Sequence, residues 1–307
     1  MPLHLTEGDV DGLITPAEAV DAIEECFHRL ARGVVENMPR RRLRMPDGAL
    51  AVMAAADAEL DLAGSKTYLA SGEGATFVVS LFKPGETVAV IEADRLGQLR
   101  TGAASGVAAR HLARPDARSL GVIGCGWQAE SQVACIRAAV PSLERVVAYC
   151  RTPERLAGFC ERTGAEPGEN HADAGEQEIV VTATTSRDPV LRGDWVQPGT
   201  LVCAMGANRP NARELDDEVL RRAAFVSCDS LEQARIESGD LIEPVEHGVL
   251  DWLEVHELQE VVAGEIEGRQ SDSDIVVFKS NGLAAWDVAI GALAVERARA
   301  AGAGTQV

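Results

Sequence analysis

Lys66 lies in the stretch DLAGSKTYLA, residues 61 to 70, and is one of three lysines, with Lys83 and Lys279, in a chain that holds 26 arginines. An ammonium in such an apolar, small-residue run has two readings. Its stem packs while its head reaches water, or it is buried and its pKa falls from ~10.4 to where a lysine exchanges protons near neutrality. Gly64-Ser65-Lys66-Thr67 looks like the end of a phosphate-binding loop. That loop needs Gly directly before the Lys and a second Gly upstream, but Ser65 precedes Lys66, and Glu59 and Leu60 stand further back. The phosphate-loop reading fails on spacing.

A second group sits in SLGVIGCGWQAESQ, a strand-like run that breaks into G-x-G-x-x-A at Gly124, Gly126 and Ala129 before a helix-like run. The first Gly permits a tight turn, the second lets a pyrophosphate reach the backbone, and the small third residue lets helix and strand pack. Free N–H groups at the helix start complement the phosphates. The next strand ends VVAYCRTPE, where an NAD enzyme would place an acid for the ribose hydroxyl; Tyr149, Cys150, Arg151 and Thr152 stand there. Arg151 suits a 2′-phosphate, so NADP(H) is favoured over NAD(H). The other reading leaves Arg151 solvated and Thr152 capping the helix from Pro153.

The bulk numbers restrict the partners. A formal charge of -19 over 307 residues repels a phosphate backbone or an anionic membrane surface. No run reaches the ~18 to 20 apolar residues of a membrane span, and the N-terminus is acidic, so a soluble, cytoplasmic protein is expected. The six histidines form no H-x-x-x-H or His/Cys cluster, and no metal site is expected. The seven cysteines contain no C-x-x-C pair and read as reduced, buried small hydrophobes.

These groups need elements to hold them. TPAE, from Thr15 to Glu18, is a capping box that opens a helix over 15 to 33 with Val20, Ile23, Phe27 and Leu30 on one face. Short runs from 48 to 92 read as antiparallel strands, after which Asp94 caps a small-residue helix whose Gly102 to Gly106 would admit a close backbone. Beyond RPDAR, strands alternate with helices, which implies a parallel sheet with right-handed crossovers. Helices are expected from about 128 and 153, near 214, over 230 to 238 and 255 to 263, and from about 284. The fold class is α/β: a Rossmann dinucleotide-binding domain, 116–283, inserted into an α+β domain formed by 1–115 plus 284–307.

Together GSKTY, LRTGAASGVAARHLA, GCGWQAESQ, VTATTSRDPVL, GANRPNARELDDEVL and VFKSNGLAAWDVA resemble the ornithine cyclodeaminase/mu-crystallin family, over nearly the whole chain. The resemblance implies a homodimer whose terminal segments form the dimerisation and substrate domain. It matches Lys66 to the active-site lysine, and Arg40 and Arg100 to groups near the substrate carboxylate. Thr101, Gln128, Thr182, Ala183 and Thr184 match cofactor contacts, and Arg151 and Thr152 those of the NADP-using members. Asp287, a family signature position, either orients Lys66 or simply caps and pairs.

A substrate with a carboxylate beside an imine carbon needs a cationic clamp and a proton source, which Arg40, Arg100 and Lys66 would supply. The informative departure is Asn208, also a catalytic candidate, where cyclodeaminases carry Asp: an amide hydrogen-bonds but takes no proton near neutrality. The expectation is therefore an NAD(P)H-dependent reductase of small imine or ketimine carboxylates. Alanine dehydrogenase, ornithine cyclodeaminase and a non-catalytic mu-crystallin-like binding protein stand as alternatives.

Overall fold

Residues 1–72 and 74–307 are described in the structure, a computed structural model. The chain opens with β1 (Leu3–Leu5) and α1 (Glu7–Val10), followed by α2 (Pro16–Ala31). Thr15 caps α2 as expected: its hydroxyl accepts from the Glu18 amide and the Glu18 carboxylate accepts from the Thr15 amide. The inward face of α2 buries Val20, Ile23 and Phe27, worth ~1.5–3 kcal/mol per large side chain.

Strands β2 (Val35–Met45), β3 (Gly48–Asp57), β4 (Leu62–Ser71), β5 (Gly74–Lys83) and β6 (Glu86–Glu92) form an antiparallel run, as the alternating residues from 48 onward predict. β2 goes beyond that expectation, because Pro39 and three successive arginines do not read as strand. It is an edge strand, where a missing N–H and charged side chains are tolerated. Helix α3 (Asp94–Leu112) follows; the Glu7 carboxylate accepts from the amides of Asp94 and Arg95 at its start.

The next stretch alternates β7 (Ser119–Ile123), α4 (Trp127–Ala139), β8 (Arg145–Tyr149), α5 (Pro153–Thr163), β9 (Glu166–Pro167), α6 (His171–Gly175), β10 (Ile179–Thr182), β11 (Leu201–Ala204), α7 (Asp217–Arg222), β12 (Ala223–Cys228), α8 (Leu231–Glu237), α9 (Gly239–Glu246), β13 (Val255–Glu257), α10 (Leu258–Val262) and β14 (Ile275–Lys279). These eight strands make one wholly parallel sheet, in the order β13-β12-β14-β11-β10-β7-β8-β9. α9, which contains Pro244, was not legible as a helix, and 255–257 is a strand rather than the start of one. At Gly102 the backbone of Ser131 lies where a Cβ would sit, the close approach that the small-residue run implied.

Helix α11 (Ala284–Ala301) and β15 (Thr305–Gln306) complete the chain. α11 packs on α2 and on β2 to β5, with Trp286 edge-on to Phe27 at 5.5 Å. Contacts divide the molecule into two units, Met1–Thr101 with Gly282–Val307, and Gly102–Asn281. Among the described residues no helix is long and apolar enough to cross a membrane. Cys26, Cys135, Cys203 and Cys228 are buried as expected, whereas Cys125, Cys150 and Cys160 are only half-buried.

Candidate active site

In the first unit, strand alternation points Lys66 inward between its register partners Met53 and Val79, both fully buried. Only 3% of the Lys66 surface is exposed. Its Nζ donates to Asp287 Oδ1 at 2.8 Å, and Arg100 Nε reaches the same oxygen at 3.3 Å. Burial lowers the Lys66 pKa from 10.5 to about 8; the Asp287 carboxylate opposes that fall, and the Arg100 and Arg40 guanidiniums add to it.

Arg40 arrives there through a β-bulge. Between the pairs Met38–Ala54 and Arg41–Val52, β2 holds one residue more than β3, so Pro39 and Arg40 are buried in succession. A bulge re-aims a side chain in this way. On α3, a Cβ at Gly97 would lie 2.6 Å from Lys66 Nζ, so the glycine leaves room for the ammonium. Gly282, at φ +86°, does the same for Arg100, whose guanidinium also sits 5.7 Å over the Trp286 ring. Arg100 Nη1, Trp286 Nε1 and Asp287 Oδ2 are buried with no hydrogen-bond partner among the described residues. Two buried cations, Lys66 and Arg100, share one carboxylate, and the buried Arg40 guanidinium is near enough to lower the Lys66 pKa.

The second unit holds a cavity of about 440 Å³ at the carboxyl ends of β7, β8 and β10, where the strand order reverses. Gly124, at φ +110°, turns the chain tightly against the Ala183 carbonyl, and Gly126 opens α4 with free space at its Cβ position. Gly124, Gly126, Arg151, Thr152, Ala183 and Thr184 line this cavity together. Thr152 makes no side-chain capping hydrogen bond to α5, contrary to the simpler reading of that residue. Gln128 and Ala129 lie on the first turn of α4 outside the lining; Ala129 packs fully buried, and Gln128 Oε1 is buried with no partner.

Thr182 is fully buried, and its hydroxyl donates to Glu214 at 2.9 Å. The same carboxylate accepts from the amides of Thr184 and Gly206, each at 2.6 Å, while burial and then Asp240 raise the Glu214 pKa. Lys279, fully buried, pairs with Asp240 at 3.1 Å and donates to the Ala207 carbonyl at 2.6 Å. This network pins the loop that carries half-buried Asn208, so Lys279 has a structural role. Thr101 ends the first unit, with its hydroxyl donating to the Gly97 carbonyl at 2.7 Å.

Sequence reasoning missed Gly97, although a glycine inside a helix costs ~1 kcal/mol and so signals a close approach. It also missed Arg155 and Arg192 and the aromatic wall of the cavity. There Tyr149 meets His171 edge-on at 4.6 Å, and His171 stacks towards Trp195 at 6.3 Å. Trp195 borders the cavity and also packs against the buried core of the second unit.

Known proteins resemble this chain over nearly its full length. The profile of the ornithine cyclodeaminase/mu-crystallin family matches residues 2–302. The chain belongs to this family. It is 35% identical to an alanine dehydrogenase of Archaeoglobus fulgidus, over 99% of this chain and 98% of that protein. It is 37% identical to a Delta(1)-pyrroline-2-carboxylate reductase of Bacillus cereus, over 75% of this chain and 73% of that protein. Its fold superposes on the Thermococcus litoralis Delta(1)-pyrroline-2-carboxylate reductase, solved with NADH and L-proline, with a TM-score of 0.94 and 32% identity, over 99% of this chain and 100% of that one.

Proposed function

We propose that this family member is an NAD(P)H-dependent oxidoreductase that reduces small imine or ketimine carboxylates to amino acids. Its substrates are cyclic ketimines or the imine of a 2-oxo acid with an amine. The observation that carries the reading is the buried Lys66, held with Arg100 on Asp287 and under the influence of the buried Arg40 guanidinium. Three buried cations against one carboxylate favour an anion, and Arg100 Nη1 is a donor without a partner among the described residues. Arg40 and Arg100 hold the substrate carboxylate. Lys66, near its own pKa at neutral pH, gives a proton to the substrate nitrogen, and Asp287 keeps that ammonium in place.

The cavity of the second unit suits a dinucleotide: a tight Gly turn, the start of a 13-residue helix, and Arg151, Arg155 and Arg192 against the single acid Asp188. When bound, the reduced nicotinamide supplies the hydride. Arg151, with the uncapped hydroxyl of Thr152 and with Arg155, favours NADP(H) over NAD(H). The first unit serves as the substrate and dimerisation domain of a homodimer, and the second binds the cofactor.

Alanine dehydrogenase is the second reading, favoured by the full-length likeness to the archaeal enzyme. Asn208 argues against cyclodeamination, which gains from a general base there. The test is a panel of pyrroline- and piperideine-2-carboxylate, pyruvate with ammonia or methylamine, and ornithine, each with both nicotinamide cofactors. Oxidation of the reduced cofactor by a cyclic ketimine or by pyruvate with methylamine supports the proposal. Turnover with pyruvate and ammonia alone selects the second reading, proline from ornithine without net cofactor change overturns both, and ligand binding without any turnover leaves a binding protein.

A further inference from the structure

Two thiols meet in the wall of the proposed cofactor cavity. β7 and β8 run parallel, their last register pair is Ile123 with Tyr149, and the Gly124 amide donates to the Tyr149 carbonyl at 2.9 Å. The chain then leaves β7 at Cys125, between the two glycines of the turn, and leaves β8 at Cys150, directly before Arg151. Both residues line the cavity, both are half-buried, and the Cys150 thiol is close enough to raise the Cys125 pKa. The Cys150 thiol also donates to the Thr152 carbonyl at 3.4 Å. Nothing in imine reduction requires a thiol at either position.

We propose that Cys125 and Cys150 form a peroxide-sensitive dithiol that closes the dinucleotide turn when it is oxidised to a disulfide. In the first step the Cys150 sulfur, as thiolate, attacks a peroxide oxygen, the O–O bond breaks, and the hydroxide released takes up a proton as water. The sulfur of Cys125 then attacks the Cys150 sulfenic acid. The S–O bond breaks, the second oxygen leaves as water, and the S–S bond forms. The two thiols together lose two hydrogens, and hydrogen peroxide is reduced to two waters. A dithiol reductant reverses the change.

The order of attack follows from the surroundings. Burial, and then the neighbouring Cys150 thiol, hold the Cys125 pKa well above its ordinary value, so Cys125 suits the resolving role. Cys150 stands beside Arg151 and Arg155 in the cavity wall and takes the attacking role. Cys160 on α5 is the competing thiol; burial and then Cys150 raise its pKa as well. A disulfide between Cys125 and Cys150 ties the pyrophosphate turn to the strand end that holds Arg151, and so opposes nucleotide entry. This consequence rests on the dinucleotide reading of the cavity, whereas the bond itself does not.

The test begins with fully reduced, nucleotide-free protein titrated with hydrogen peroxide, blocked by alkylation and mapped by peptide mass. A crosslinked peptide joining Cys125 to Cys150, lighter by two hydrogens and regained as separate peptides after dithiothreitol, is expected in the native chain and in Cys160→Ser. It is absent from Cys125→Ser and from Cys150→Ser. No crosslink, or a Cys150–Cys160 crosslink, overturns the proposal. In parallel, NADPH and NADH affinities are measured before and after oxidation. A loss of ~10-fold or more, restored by reduction, is expected, and unchanged affinity in crosslinked protein overturns the closing role. Reduced protein that binds neither nucleotide defeats the cavity assignment instead, and the crosslink map still decides the dithiol.

Discussion

Lys66 Nζ lies 2.8 Å from Asp287 Oδ1, and this contact joins the inward face of β4 to the first turn of α11. Asp287 is the carboxylate that opposes the burial-driven fall of the Lys66 pKa. Asp287→Asn keeps the shape and removes the charge, so the Lys66 pKa should drop further below about 8. The high-pH limb of imine reduction should then move to lower pH, with folding retained in thermal melts. An unmoved limb would show that Asp287 only packs.

Lys66 also sets the sign of the pH dependence. As the proton donor it must be charged, so imine reduction should be full below about pH 8 and decline above it, while the reverse oxidation should rise through the same pH. Stability follows by linkage. The folded pKa, about 8, lies below the unfolded value of 10.5, so between them the unfolded chain holds more protons and stability rises with pH. Lys66→Met should remove that rise, a comparison open to denaturant melts at pH values across this window.

Lys66→Ala should lower turnover by ~10²- to 10⁴-fold, the usual worth of a positioned acid or base, and leave nucleotide affinity unchanged. Steady-state rates beside a fluorescence titration with NADPH separate the two effects. Near-normal turnover in this variant would remove the proton-transfer role.

Gly97→Ala tests the space around the amine. The new methyl would stand 2.6 Å from Lys66 Nζ, and because the lysine is paired and buried it cannot swing into solvent. Turnover should fall by ~10-fold or more with a nearly unchanged melting temperature, as misplacement of a reacting group costs rate before it costs stability. Full activity would mean that the ammonium has another place to sit.

Arg151→Ala should weaken NADPH by ~10- to 100-fold, since a hydrogen bond to a charged group contributes about 1.5–3 kcal/mol, and should barely alter NADH. Dissociation constants for both cofactors provide the check. An equal loss for the two would end the case for a 2′-phosphate contact.

Much of the second unit was legible because its signals are local. Strands alternating with helices, and glycines at fixed spacing after a strand, are short-range patterns, and they became a parallel sheet with its cavity at the strand ends. β2 was not legible, because Pro39 and the arginines argue against a strand and only its edge position reconciles them. The burial of Arg40 depends on one extra residue relative to β3, a register property that β2 by itself does not encode. The cysteines, read as buried small hydrophobes, misled in a similar way, since Cys125 and Cys150 stand just past strand ends and are only half-buried.

The amino-acid sequence by itself determined most of the elements and where a glycine turn falls after β7, because period, caps and glycine conformation act over a few residues. Only the tertiary structure decided that Lys66 and Asp287, 221 residues apart, share a proton-sized gap with Arg100. The physical reason is desolvation. An amine's pKa depends on what is packed around it in three dimensions, and the strength of each charge beside it depends on how completely water is removed.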